Sequence, residues 1–243
     1  MPGWAALTME EIGEAAAAGA LALLPVGATE QHGPHLGTGT DTLLAERITE
    51  AAAEMTGDLV LPALAYGCSL GHTDRWPGTL SLGPATMIAL LVEVGRWTHA
   101  SGFRKLVMVN GHATNGPPCQ SAILQLRHEL PDLRLRFVSI FDLTPELAAR
   151  YTEDAANFHA NEAETSMLLH LDPAQVRTER AVDEPDRTHG RVFQYTMPAV
   201  TRSGVVGAPS AATPARGAEL FERLVAALAE LLQRARRERD PEL

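Results

Sequence analysis

Glu30, His32, His35 and Asp41 fall in and just after the segment Thr29-Glu30-Gln31-His32-Gly33-Pro34-His35-Leu36, two carboxylates and two imidazoles with no thiol among them. Oxygen and imidazole donors in that mixture suit a divalent zinc, manganese or iron ion. Glu30 and His32 are two apart at the end of an apolar run, and extended backbone points alternate side chains the same way, so both can face one ion. Two further polar groups carry donors: Asn110-Gly111-His112-Ala113-Thr114-Asn115, and His159-Ala160-Asn161-Glu162-Ala163-Glu164-Thr165-Ser166. On a helix of 3.6 residues per turn, residues two apart diverge by about 200°, so Glu162 and Glu164 do not both face one ion. Glu164 shares its face with the apolar Leu168, which directs it inward.

The elements that must position these side chains are legible around them. The run 20–27 has the continuous apolar character of a buried strand, and 105–109 is a second, β-branched one. Asp41 opens a helical segment over 42–55, so its carboxylate lies at a helix N-terminus, where it can cap the helix or return toward the strand end. Both strands end in a polar, His-bearing turn before a helix. In open α/β sheets ligands gather outside the carboxyl ends of parallel strands, so two such turns converge on one crevice. Elsewhere, Thr8 and Glu11 are spaced as a capping box for a helix over 8–18, and 59–64 reads as a strand. A helix over 84–98 has Pro84 in its first turn and Gly102 as C-cap. The stretch 133–140 reads as a strand with Arg134 and Arg136 on a solvated face near an edge. The Pro- and Gly-rich stretch 183–214 has little regular pattern and reads as pocket wall or subunit contact.

Five segments in order resemble the creatininase (creatinine amidohydrolase) family over most of the chain. They are Gly27-Ala28-Thr29-Glu30-Gln31-His32-Gly33-Pro34-His35-Leu36 with Asp41, Trp76-Pro77-Gly78-Thr79-Leu80-Ser81-Leu82, Asn110-Gly111-His112, the His159 segment, and Gly204-Val205-Val206-Gly207-Ala208-Pro209. The last has Ala208 where the family commonly has an acidic residue. The resemblance implies an α/β fold, a three-layer α/β/α sandwich with a mostly parallel sheet, occupying 1–243 as one domain and assembled as a homohexamer. It implies two divalent metal ions, zinc, manganese or iron. One would be held by Glu30, Asp41 and His112, the other by His32 and Asp41, so that Asp41 bridges. Thr114 stands where creatininase itself has a glutamate ligand, and Glu164 substitutes for it, with Glu162 as second choice. His159 matches a histidine beside the substrate, where a near-neutral pKa suits proton donation to the leaving nitrogen. His35, His72, Trp76, Thr114 and Glu162 fall near the substrate pocket, and Trp76 offers a stacking face.

The implied activity is hydrolysis of a C–N amide bond in a cyclic amide, a formamide or a related small molecule. Two ions about 3.5–4 Å apart share a water and lower its pKa toward neutrality, giving a hydroxide nucleophile. Glu30, Asp41 and Glu164 set three negative charges against four positive, which a hydroxide balances. Creatinine is disfavoured by Thr114 and Ala113. Within the family, deformylation of a formylaminopyrimidine and peptidase trimming of a ribosomally made redox-cofactor precursor, as in the mycofactocin system, are the alternatives. Outside catalysis, a metal-stabilised scaffold or binding subunit would leave Thr114 and Ala208 as traces.

Composition narrows the partners. At 243 residues, 45% of them hydrophobic, the chain supports one large core, and a net charge of −10 lacks the footprint of a nucleic-acid binder. The basic run 234–239 closes an amphipathic helix and reads as a solvated face. Cys68 and Cys119 form no CxxC pair and read as packing thiols. His99, His128, His170 and His189 have no neighbouring ligands and read as surface or packing residues. The apolar run 15–24 follows Glu10, Glu11 and Glu14 rather than a basic segment, and no stretch reaches the roughly 20 apolar residues of a membrane span. A cytoplasmic enzyme without membrane or nucleic-acid partners is expected.

Overall fold

The computed structural model describes residues 3–239 and 241. Its elements run α1 (Met9–Ala17), β1 (Ala22–Val26), α2 (Thr40–Thr56), β2 (Leu59–Val60), α3 (Pro84–Ala100), β3 (Lys105–Asn110), α4 (Gly116–Glu129), β4 (Arg134–Ser139), α5 (Pro145–Tyr151), α6 (Glu162–Leu171), α7 (Met197–Val200) and α8 (Pro214–Arg237). The four strands pair in the order β2-β1-β3-β4, all parallel, with Ala22 beside Leu106 and Lys105 beside Arg134. Alternation across the pleat sends Leu21, Leu23, Val107 and Val109 to one face and Ala22, Leu24, Leu106 and Met108 to the other. One face is covered by α2, α5, α6 and α8, the other by α1, α3 and α4, which gives the three-layer α/β/α arrangement.

Local chemistry accounts for most boundaries. Thr8 and Glu11 form the expected capping box at α1. Pro84 starts α3, and beyond its last turn Gly102 takes a left-handed φ of 98°. In α8, Leu220, Leu224, Leu228 and Leu232 recur at every fourth position and are all buried, a stripe worth about 1.5–3 kcal/mol for each fully enclosed leucine. β4 is an edge strand with Arg134 and Arg136 exposed.

Two expectations are corrected. The strand expected over 59–64 is regular only at Leu59–Val60, because Pro62 has no N–H to give the ladder; pairing continues through Leu61 N–H to the Leu23 carbonyl and an isolated bridge between Val26 and Leu64. The second helix starts one residue earlier than Asp41, after Gly39, which makes no side-chain cap. Asp41 is therefore inside the first turn, and capping is not its role.

Cys68 and Cys119 are buried free thiols. Among the described residues no helix is long and apolar enough to cross a membrane.

Candidate metal centre

β1 and β3 stay paired to their carboxyl ends, and the first turn of α2 packs directly onto the turns that follow them. That approach needs glycine at two places. A Cβ on Gly27 would fall 2.3 Å from the Thr42 Cα, and one on Gly111 would fall 2.3 Å from the Asp41 carbonyl oxygen. With no side chain at either, Asp41 comes within reach of both strand-end motifs.

Glu30, His32, Asp41 and His112 meet there, all buried. His32 Nε2 lies 3.2 Å from Asp41 Oδ1, His112 Nδ1 lies 3.3 Å from Asp41 Oδ2, and His112 Nε2 lies 3.1 Å from Glu30 Oε2. On the other side of the Glu30 carboxylate, Oε1 is 2.8 Å from His72 Nδ1 and 3.3 Å from His159 Nδ1. Yet both Glu30 oxygens, His32 Nε2 and Asp41 Oδ2 are buried atoms that lack a well-angled hydrogen bond among the described residues. Close approach without hydrogen-bond geometry is the relation between two ligands of one cation. Bonds of about 2.0–2.1 Å in a tetrahedral site place neighbouring donor atoms about 3.3 Å apart, the spacing seen around Asp41. The donor set and its orphaned atoms thus fit a divalent metal ion, and Glu30, His32 and Asp41 bring their ligand atoms within 4.8 Å of one another.

The hydrogen bonds behind the cage fix which ring nitrogens face it. His32 Nδ1–H donates to the Glu30 carbonyl at 3.1 Å, leaving Nε2 toward Asp41. Thr114 Oγ1 donates to the Cys68 carbonyl at 2.5 Å and so accepts from His112 Nε2–H at 2.6 Å, which directs the His112 Nδ1 lone pair at Asp41. Asn110 holds that turn, accepting from His112 N–H at 3.1 Å and donating to its carbonyl at 2.8 Å. Rings held through the far nitrogen are the usual support of metal-binding histidines.

Electrostatics say that the cage requires positive charge. Burial works against charge on Glu30, but His112, His72 and His159 hold its carboxyl near 2. Burial opposes ionisation of Asp41 too, and His32 and His112 keep it well below the usual range. Correspondingly, burial disfavours the charged rings, but Asp41 raises His32 to about 10, and Glu30 with Asp41 raises His112 to about 9. Protons stand where a cation would neutralise the carboxylates.

Glu164 and Glu162 part ways as their spacing predicts. Glu164 is buried, and burial together with the nearby Asp41 and Glu30 charges lifts its carboxyl to about 7 against the pull of His32. It also closes a capping box with Asn161 at the start of α6. Glu162 is turned away: it takes Arg150 at 2.7 Å, Arg216 at 2.8 Å and the Ser166 hydroxyl at 2.6 Å. Its placement as second-choice ligand and pocket residue is therefore corrected, since its carboxylate is saturated by α5 and α8.

The remaining candidates divide. His72 is nearer the ligands than a pocket wall would be, joined to Glu30. His35 is fully enclosed, with Nε2 3.0 Å from the Thr165 hydroxyl, and offers substrate no surface. Burial and the neighbouring His32 push its pKa down to about 4. Trp76 carries the Arg75 guanidinium 5.5 Å over one face of its ring. His159 is not near neutral: burial and His32 hold it well below the usual histidine value. It sits beside Ala160, whose left-handed φ of 51° turns the chain between a bridge to Val206 and the α6 cap. Through that bridge Val206, in the irregular 183–214 stretch, lies against His159.

Two residues carried no signal in sequence. Gln31 turns inward; its amide nitrogen is 3.0 Å from His159 Nε2 and 3.3 Å from His72 Nδ1, and its carbonyl accepts from His159 Nε2–H at 2.7 Å. Tyr151 is wholly buried with its hydroxyl unpaired among the described residues. Burial, with Glu164 and Asp41, raises its pKa well above the usual value.

Comparison with known proteins adds a consistent picture. A family model described as creatininase, creatinine amidohydrolase, matches residues 5–232. The chain is 35% identical over 228 residues to the mycofactocin precursor peptide peptidase of Mycolicibacterium smegmatis, covering 88% of this chain and 85% of that protein. It is 31% identical over 245 residues to creatinine amidohydrolase of Pseudomonas putida, covering 93% and 94%. Among solved structures, a creatinine amidohydrolase superposes with a TM-score of 0.88 at 30% identity over 97% of this chain and 98% of that one. A Zn-Zn form and a manganese form of creatininase, each 28% identical with the same coverage, give TM-scores of 0.87 and 0.84.

Proposed function

The chain belongs to the creatininase family and is a hydrolase acting on C–N bonds, and from that premise we propose that it cleaves a small amide at a dinuclear divalent-metal centre. The observation that carries this reading is the buried Glu30 and Asp41 carboxylates, ringed by imidazole nitrogens yet left without well-angled hydrogen bonds. Glu30, Asp41 and His112 would hold one ion, and His32, Asp41 and Glu164 the other. Bound ions would polarise the scissile carbonyl and bring the pKa of a water toward neutrality.

The chain's own residues supply the rest. His159, kept neutral by burial, has Nε2–H committed to the Gln31 carbonyl and presents Nδ1 as the atom that takes a proton from the nucleophile and returns it to the leaving nitrogen. Thr114 makes no carboxylate ligand here; by accepting from His112 it orients that ring. In this role Thr114 weakens the scaffold reading, which took it as a mark of lost function.

Within this chemistry a peptide substrate is the second reading. It is favoured by the similarity to precursor peptide peptidases and by exposed apolar side chains at Leu70, Phe193 and Tyr195 beside the turn that bears His72. Thr196 adjoins Gly71, which brings that loop to the same turn. The test is hydrolysis of a panel of formamides, cyclic amides and short peptides before and after chelation. Turnover of one class that chelator abolishes and zinc or manganese restores supports the reading; turnover indifferent to chelation refutes it. A cytoplasmic homohexamer belongs to the same proposal, checked by sedimentation of the purified enzyme.

A further inference from the structure

The Glu30 carboxylate has two sides, and the proposed dinuclear centre uses only one. Oε2 faces His112, while Oε1 faces His72 Nδ1 at 2.8 Å and His159 Nδ1 at 3.3 Å. The three side chains bring their ligand atoms within 4.8 Å of one another, and all three are buried. Oε1 has no well-angled hydrogen bond despite those neighbours. The His159 ring is also set for a cation. His159 Nε2–H is spent on the Gln31 backbone carbonyl at 2.7 Å, so its Nδ1 is bare and turned toward Glu30. The Gln31 amide nitrogen lies 3.0 Å from His159 Nε2 and 3.3 Å from His72 Nδ1, where it approaches the same nitrogen that an ion would take. A ring tied through its far nitrogen to a backbone carbonyl is how proteins prepare a histidine ligand.

We propose that Glu30 Oε1, His72 Nδ1 and His159 Nδ1 form a third divalent-cation site, weaker than the other two, whose filling inhibits the enzyme. Two imidazoles and one carboxylate select zinc, cobalt or nickel over magnesium or calcium. The site is weaker because the charge runs out: Glu30, Asp41 and Glu164 give three negative charges, which two divalent ions already exceed. It inhibits because an ion on His159 Nδ1 occupies the atom that carries the proton, a consequence that rests on the function proposed above. The ion-binding claim itself does not rest on it.

The experiment is equilibrium dialysis of the whole protein against rising free Zn²⁺, with bound metal counted per chain, for wild type and His72→Gln. Wild type should bind about three ions in a tight and a weak class, and the variant about two, losing the weak class alone. The free zinc that halves activity should rise at least about tenfold in the variant, as loss of a ligand demands. Equal plateaus of two in both proteins overturn this inference and leave the dinuclear reading standing; no bound zinc in wild type overturns both. Crystals of wild type soaked in zinc give an answer that no variant's folding can confuse. An anomalous peak between Glu30, His72 and His159 that appears only at high zinc is expected, and its absence with the other positions filled overturns the third site.

Discussion

The two ends of the same parallel sheet treat buried carboxylates in opposite ways. At the amino end, Asp58 accepts from Leu21 N–H at 2.9 Å and from the Thr56 hydroxyl at 2.6 Å, and pairs with Arg236 of α8. Nearby, Lys105 donates to the carbonyls of Ala235, Arg236 and Glu238, closing the end of α8. Asp58 and Lys105 thus both meet partners there. At the carboxyl end, Glu30, Asp41 and Glu164 are as deeply buried, with no lysine or arginine paired to them among the described residues and histidines pressed against two of them at ligand spacing. The α6 helix repeats the contrast over a single turn: Glu162 is held by two arginines and a serine, while Glu164 accepts only from the Asn161 N–H among the described residues and is lifted by the Asp41 and Glu30 charges. Leaving a buried carboxylate without a cation costs several kcal/mol, so the contrast between the two ends supports the metal centre proposed above.

Breaking the cage at its centre should have the largest effect. Asp41→Asn removes the group that faces both His32 and His112, and metal content and turnover should each fall by more than about 100-fold, beyond what loss of an outer partner costs; metal analysis beside kinetics checks both. Replacing His159 by alanine should lower turnover by about 10²–10⁴-fold while the tight ions stay bound, so a fall in tight-class metal would move His159 from proton carrier to principal ligand.

The paired end of the contrast predicts the opposite phenotype. Glu162→Gln leaves Arg150 and Arg216, which are partly exposed, with Glu153 as their remaining carboxylate, and should cost about 1–3 kcal/mol of stability with normal metal content in the folded protein. Chemical denaturation separates this from Glu164→Gln, which should lose metal with little change in metal-free stability.

The pH dependence sharpens the comparison further. Glu164, His32 and His112 all have pKa values raised in the metal-free fold, so each binds more protons folded than unfolded. Such groups contribute stability that is present below their unfolded values and lost as pH rises through the folded ones. The chelated protein should therefore lose stability from about pH 5 upward toward pH 10. The metal-loaded protein should not, since the ion replaces those protons. Thermal melts of both forms at pH 6 and 9 read the difference. The smallest effect belongs to Thr114→Val, which unties the His112 ring and should weaken metal binding by about 10-fold.

Much of this was legible in sequence because it followed periodic rules. Strands β1 and β3 and the turns after them announced themselves by apolar runs ending in polar, His-bearing segments. The split between Glu162 and Glu164 followed from helical geometry alone. What was hidden lies where the backbone has no period. After β1 the chain passes through isolated bridges linking His32 to Pro34 and to Leu36, and nothing in that spelling tells that Gln31 turns inward. His72 sits in a short turn, Leu70–His72, remote in sequence from every other donor, so its approach to Glu30 depends on tertiary packing. Tyr151 ends α5 with the look of an ordinary core aromatic; its hydroxyl, unpaired among the described residues and within reach of the Glu164 and Asp41 charges, sets it apart.

Whether the carboxyl end of the sheet holds metal ions is read by counting zinc, manganese and iron per chain in protein purified without added metal, by mass spectrometry, before and after chelation. About two ions per chain are expected, which chelator removes together with amide hydrolysis and which added metal restores. Protein that carries no metal, takes up none, and folds with its cage intact would contradict that expectation.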